Sequence, residues 1–428
     1  MPMALEMVDT ARSIAIESME SLHHPVFGLR AGIPHFDALF GRDIHRFVRL
    51  ALSRPQNLYF PGLLNSAILA LDKLEETQAI DVISDWEATP GKILHQWMNG
   101  FTPPYVLEEL KSSGWPVFTN TEGSNELRYF GGDDATPGYI DAVAIVAQAL
   151  AVADSPKKRD EFLDRKWTSL KAAYNHQVEF ADIDGDGLVE SVPHNKNTLL
   201  HLTERDSGNS YDLEDGTRPY PPFKYLGTNC LNAEAMGQMS WMATILGEAN
   251  VAKEALEFHQ TAKAEIRKAF WDKKTAYPTA LIFGEGRKAD FVSDEAVDGL
   301  WYGIFDQEEQ GGMIVNRVMQ PDMLTSWGIR SRSSKSKQFY ANGGKSYWNG
   351  GVWTHRTAIA AEALSQYGFN AEAAILDGCL RAVVIKKGCV EVVSVDRRNH
   401  LDYYREKRIP KACLPQLFAV GGVLARTA

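Results

Sequence analysis

Helical periodicity, repeated block after block, is what most limits the folds open to this chain. From Leu64 to Leu74, the apolar residues Leu64, Ala67, Ile68 and Leu71 fall on one stripe at helical spacing. Residues 140–152 are apolar nearly all round, which predicts a helix buried on every side. Similar blocks occupy roughly 159–180, 228–248, 251–271, 354–367 and 370–386. Only Tyr367-Gly368-Phe369-Asn370 separates the last two, which predicts a helical hairpin with a glycine stop. Alternating strand patterns are few, and short candidates such as Val390 to Val395 sit inside loops. The chain reads as all-α, with about ten to twelve helices. No short repeat is visible, which argues against a regular solenoid.

The segments between helices are unequal. Those at roughly 82–136, 181–227, 321–352 and 387–412 are long and rich in Gly, Pro, Trp, Tyr and Asp. Long loops in a compact helical unit are functional or disordered, and these are too aromatic for disorder. If the helices alternate up and down, loops of one parity share one end. Gathered there, they build a single deep pocket with aromatic walls.

At 428 residues the chain can bury a large core. It is expected to form one unit over 1–428, with 1–26 as a peripheral N-terminal segment. The formal net charge of -10 argues against a nucleic-acid or anionic-membrane partner. No apolar stretch approaches the ~20 residues that span a bilayer. The N-terminus, Met1-Pro2-Met3-Ala4-Leu5-Glu6, lacks a basic region followed by an apolar run. Cys230, Cys379, Cys389 and Cys413 are scattered, without zinc-ligand spacing. They read as reduced thiols, and the expectation is a cytoplasmic protein.

Two distant loops each offer a carboxyl group. One is Arg205-Asp206-Ser207-Gly208-Asn209-Ser210-Tyr211; the other carries Glu391 after Gly388-Cys389-Val390. Two acids meeting across one pocket are what acid/base hydrolysis of a glycosidic bond needs. The plainer reading of any single Asp or Glu is a solvated surface charge. Arg42-Asp43 has the same two readings: a surface ion pair worth little, or an Asp43 that accepts hydrogen bonds from sugar hydroxyls. Trp- and Gly-rich stretches, Ser326 to Ser331 and Tyr347 to His355, suit walls on which sugar rings rest. Asp182, Asp184 and Asp186 with Gly187 match the first half of a calcium loop, but Pro193 stands where the closing Glu belongs. A tight turn is the plainer reading, and no metal is expected.

These pieces, in order, resemble the catalytic domain of glycogen debranching enzymes, the amylo-alpha-1,6-glucosidases, and their six-hairpin glycosidase relatives. Phe40-Gly41-Arg42-Asp43 resembles the family's F-G-R-D, and Pro90 to Gln96, which holds His95, resembles P-G-K-I-x-H-E. Tyr129 to Pro137 resembles Y-x-G-x-x-D-A-T-P, and Asp206 to Ser210 resembles D-S-G-D-S. Trp327 to Arg330, Asn349 to Trp353 and Cys413 to Gln416 resemble W-G-I-R, N-G-x-V-W and C-x-P-Q. The resemblance implies an (α/α)6 barrel and inversion of anomeric configuration. Asp206 matches the general acid and Glu391 the general base. Phe40, Arg42, Asp43, His95, Asp134, Trp327, Arg330, Asn349, Trp353 and Gln416 are the expected substrate-binding residues. Three positions depart from the pattern: Thr203-Glu204-Arg205 where a Trp precedes the acid, Val390 where Pro precedes the base, and Trp348 where His is common.

The leading expectation is an inverting, exo-acting α-glycosidase, an α-glucosidase of the amylo-alpha-1,6 type, acting on an α-glucoside or related oligosaccharide without a cofactor. The alternatives are a hydrolase of a small glucoside such as a compatible solute or disaccharide, and a catalytically silent sugar-binding protein. A phosphorylase is weaker still, because Glu391 stands where such an enzyme would bind phosphate.

Overall fold

Each strongly periodic block of the sequence is a helix in the computed structural model, which describes residues 2–59, 62–99, 102–120, 122–340, 347–402 and 412–428. Thirteen α-helices lie among these residues. We number them α1 (Pro2–Leu22), α2 (Gly41–Ala51), α3 (Leu63–Glu76), α4 (Pro104–Ser112), α5 (Ala135–Ala153), α6 (Pro156–His176) and α7 (Leu226–Ile245). The others are α8 (Ala249–Phe270), α9 (Ala296–Trp301), α10 (Gln310–Val318), α11 (Thr354–Gln366), α12 (Asn370–Lys387) and α13 (Leu417–Arg426). The block expected to run to residue 180 leaves the α-helix at His176 and finishes as a π-turn, Gln177–Ala181. The hairpin of α11 and α12 turns at Gly368, whose φ of 82° lies in the left-handed region that glycine reaches without steric cost.

Burial sorts the helices into two sets. α2, α5, α7, α9, α11 and α13 bury most of their residues. Among them α2 packs on α5, α5 on α7, α7 on α9, α9 on α11, α11 on α13, and α13 back on α2. The second set is amphipathic and lies outside: α6 on α5, α8 on α7, α10 on α9, α12 on α11. α8 illustrates the pattern, burying only Ala255, Ala262, Ile266 and Phe270. α1, expected to be peripheral, packs on α12 and α13 and sends Ala11, Ala15 and Leu22 into the main core.

The connection at 82–136 carries more structure than the loop expected there. It contains α4 and most of a four-stranded antiparallel sheet, in the order Leu39–Phe40, Gln96–Met98, Asn125–Tyr129, Val117–Thr119. This sheet sets Phe40 opposite Gln96 just before α2 begins. A two-residue ladder, Val352–Trp353 on Val392–Val393, ties the entrance of α11 to the segment after Glu391.

Gly91 shows why a glycine stands in Pro90-Gly91-Lys92. Its φ is 82°, and a Cβ there would lie 2.0 Å from the Ala172 carbonyl oxygen of α6. The clash is with backbone, which cannot step aside. Gly91→Ala is expected to cost more than about 2 kcal/mol, read as a lowered urea midpoint at unchanged slope. A midpoint equal to that of the unsubstituted protein would refute the close approach.

Candidate active site

The beginnings of four inner helices converge on one cleft with an empty volume of about 410 Å³. Phe40 caps α2, with Arg42 and Asp43 in its first turn; Asp134 caps α5, Trp353 caps α11 and Gln416 caps α13. All but Asp134 line the cleft, together with His95, Asp206 and Glu391. Helix N-termini carry partial positive charge, which suits a cleft walled by carboxylates.

Asp206 is held by its loop. Arg205, 1 % exposed, donates to the carbonyls of Ser331 (2.7 Å), Ser210 (3.1 Å) and Trp348 (3.0 Å). The neighbouring Asp206 is thereby presented to the cleft. Its Oδ2 accepts from Arg42 Nη1 at 3.2 Å, and Tyr347 donates its hydroxyl to Oδ1 at 3.4 Å. Burial raises the Asp206 pKa above the ordinary carboxylate value, against the pull of Arg42. The shift is in the direction that a general acid requires.

Arg42 is oriented by Asp134, whose Oδ2 accepts from its Nε at 2.8 Å. Arg42 Nη2 also reaches His95 Nδ1 at 3.4 Å. A guanidinium only donates, so Nδ1 is the acceptor and the His95 proton sits on Nε2. Burial, with Arg42 and Lys92 nearby, keeps His95 neutral, its pKa well below the ordinary value. Asp43 accepts from Gln416 Nε2 at 3.0 Å, and burial lifts its pKa to about 7.

Glu391 lies across the cleft, 6 % exposed. Its backbone N–H donates to the Cys413 carbonyl at 3.0 Å, and its Oε2 accepts from the Cys413 N–H at 2.9 Å. Burial, with the charges of Asp43 and Asp206, pushes its pKa up to about 8. In the unfolded chain the same carboxyl ionises near 4.5. Between those values the folded state keeps a proton that the unfolded chain releases, so raising the pH through this window lowers stability. Glu391→Gln removes the penalty. Its melting temperature should exceed that of the unsubstituted protein, by a margin that widens from pH 5 to pH 8. A margin independent of pH in calorimetry would contradict this.

Aromatic side chains close the walls. Trp353 stacks on Trp348 with ring centroids 3.7 Å apart, and Tyr347 and Phe418 pack against the pair.

Several expected substrate-binding residues lie outside the cleft lining. Asp134 is behind it and orients Arg42. Trp327 packs under Lys386, with the ammonium 5.4 Å from its ring centroid. Arg330, 1 % exposed, donates to the Val395 carbonyl and, at 2.6 Å, to that of Asp396; it clamps the strand that follows Glu391. Asn349 donates to the Asn209 carbonyl at 2.8 Å and accepts from Arg332 at 3.2 Å, bracing the Asp206 loop. Arg330 and Asn349 are drawn inward because the loops they join carry backbone carbonyls that need donors.

Phe36, Glu204 and Phe418 also line the cleft and were not marked from sequence, while Tyr347 and Trp348 belong to the Trp- and Gly-rich stretch expected to form a sugar-binding wall. Glu204 accepts from Arg46 at 2.7 Å and also bonds His355; although burial opposes it, Arg46, Arg356 and His355 hold its pKa well below the ordinary value. The only hint of it in the sequence was its position in Thr203-Glu204-Arg205, where the chain departs from the debranching pattern.

The loop with calcium-like spacing has a cation of its own. Lys224 Nζ lies 2.9 Å from Asp184, 2.6 Å from Asp186 and 2.6 Å from Glu190, and Asp182 accepts from the Gly187 N–H. A divalent ion would have to displace this ammonium. We expect EDTA to leave the melting temperature unchanged; a fall reversed by Ca²⁺ would show the opposite.

The family profile of the mannosylglycerate hydrolase MGH1-like glycoside hydrolase domain matches residues 93–394. No curated protein matches the chain by sequence. Among solved structures, an uncharacterised conserved protein from Thermus thermophilus is similar at 15% identity, covering 98% of this chain and 100% of its own, with a TM-score of 0.69. The GH63 mannosylglycerate hydrolase of the same organism, in complex with Tris, is similar at 15% identity over 97% of this chain and 99% of its own, TM-score 0.67. Its complex with glucose gives 16% identity over the same shares, TM-score 0.68.

Proposed function

The chain belongs to the family of MGH1-like glycoside hydrolase domains, and on that premise we propose that it is an inverting, exo-acting α-glycosidase for a small glycoside. The observation that carries this is the meeting of Asp206 and Glu391 in one cleft with the Arg42, Asp43 and His95 cluster. Within this reading, the cyclic packing of six buried helices under an outer set is an (α/α)6 barrel, and the cleft is its mouth.

Asp206 gives its proton to the glycosidic oxygen as the bond from that oxygen to the anomeric carbon breaks. Glu391 takes a proton from a water that attacks the opposite face of the ring in those molecules where it has itself ionised, so with its pKa near 8 the rate should rise with pH toward that value. The sugar leaves with inverted configuration, and proton exchange with solvent resets both groups. Such pairs stand ~6.5–9.5 Å apart to leave room for the water. Asp43 accepts from ring hydroxyls, His95 donates through Nε2, and the indole of Trp348 meets an apolar face.

The small-glycoside reading is favoured over debranching by the family that the chain matches. The structural relative that holds glucose agrees with a hexose ring here. The test is turnover on mannosylglycerate, glucosylglycerate, glucosylglycerol, isomaltose and a glycogen limit dextrin side by side, with the first-formed anomer read by NMR. We expect a small substrate to be cleaved to the β-anomer, and the dextrin to be left intact. Preferential cleavage of the dextrin would restore the debranching reading; binding without turnover across the panel would make this a silent sugar-binding protein.

A further inference from the structure

A second cavity, with an empty volume of about 630 Å³, lies behind the wall of the first. Three segments make the partition. From 92–95, Lys92 lines the second cavity and His95 the cleft. From 133–134, Asp133 lines the second cavity, while Asp134 holds Arg42. From 202–206, Leu202 lines the second cavity, while Glu204 and Asp206 line the cleft. The Asp133 N–H donates to the Leu202 carbonyl at 2.8 Å, joining two of the three.

Gln177 stands out in this cavity. It is 1 % exposed, and its Oε1 is buried without a hydrogen-bond partner. Buried amide oxygens are rarely left unmatched, and leaving one so is costly. Gln177 opens the π-turn Gln177–Ala181, a local geometry that recurs at functional sites. The cavity's charges are already balanced: Lys92 Nζ pairs with Asp133 at 2.8 Å, and Glu190 with Lys224. No uncompensated cation waits for an anion among these described residues. What the lining offers is an acceptor in Gln177, an acceptor and a donor in the Lys92–Asp133 pair, and at the mouth Phe180 and Ile183, 38 % and 60 % exposed. Hydroxyls that donate to Gln177 and Asp133, on a skeleton whose C–H face rests against Phe180, match that set.

We propose that this cavity binds a small neutral polyol or monosaccharide, separately from the catalytic cleft. The ligand sits one residue from Asp134 and so from the clamp that aims Arg42 at Asp206. Occupancy therefore shifts substrate affinity, and substrate in turn shifts occupancy, since coupling between two binding free energies is reciprocal.

The test is isothermal titration of the full chain with D-glucose, glycerol and inorganic phosphate. Four proteins are compared: unsubstituted, Asp43→Asn, and Asp43→Asn with either Gln177→Leu or Ile183→Trp added. Ile183 is largely exposed, so its replacement narrows the mouth without disturbing the core. We expect glucose or glycerol to bind a site that survives Asp43→Asn and weakens at least tenfold when either Gln177→Leu or Ile183→Trp is added. Absence of any such site overturns the proposal, as does a site surviving Asp43→Asn that persists unchanged when either cavity substitution is added to Asp43→Asn. Binding of phosphate in place of either polyol overturns the ligand class. The readout is binding, so it stands or falls independently of whether the cleft hydrolyses any glycoside.

Discussion

Asp206→Asn should lower kcat on an unactivated glycoside by about 10²–10⁴-fold, the usual contribution of a positioned general acid, while the melting curve barely moves. The replacement keeps the side-chain shape: its amide oxygen can accept from Arg42, and its NH2 can donate to the Tyr347 hydroxyl oxygen. The Arg205 clamp on Ser331, Ser210 and Trp348 is untouched, so the loop keeps its place. Only the proton is lost. The deficit should shrink with an aryl glycoside, whose leaving group departs with little protonation. A rate like that of the unsubstituted enzyme on an unactivated glycoside would remove Asp206 from the mechanism.

Glu391→Gln should be as damaging, by about 10²–10⁴-fold, but with a different signature. The base acts on water, so a better leaving group should bring no rescue. The introduced amide oxygen would still accept from the Cys413 N–H, which keeps the strand in register. Small anions that can take the place of the water, such as azide, should restore part of the rate in a smaller variant, Glu391→Ala, giving the inverted glycosyl azide. If aryl glycosides rescued Glu391→Gln as they do Asp206→Asn, the two roles would have to be exchanged. If an α-glycoside gave an α-product, configuration would be retained and a nucleophile, not a base, would be required.

The helices were legible because their information is local. The stripe of Leu64, Ala67, Ile68 and Leu71 lies on α3, and the turn at Gly368 falls where expected. The four-stranded sheet was not legible, because its strands are two to five residues long and find partners across helices. In the site, motif residues at helix starts, such as Asp43, Trp353 and Gln416, were placed in the cleft. Arg330 and Asn349 looked like sugar ligands because Arg and Asn beside Gly and Trp suit that role. Spacing does not reveal that buried carbonyls of Val395, Asp396 and Asn209 engage them first. Glu204 went unmarked for the converse reason: its partners Arg46, His355 and Arg356 come from two distant helices.

The hydrogen bond from Gln416 to Asp43 joins residues 373 apart in sequence, and Gly32 bridges to Gln416 in the same region. Early and late parts of the chain thus meet at the cleft floor. During synthesis the Asp43 end leaves the ribosome long before its partner exists, and α2 must wait for α13 to cover it. A nascent chain can therefore present helices, and even Asp206, without being able to cleave a sugar. Activity should appear only once the segment carrying Gln416 is free to fold, and fragments ending before Gln416 should be inert however well they fold.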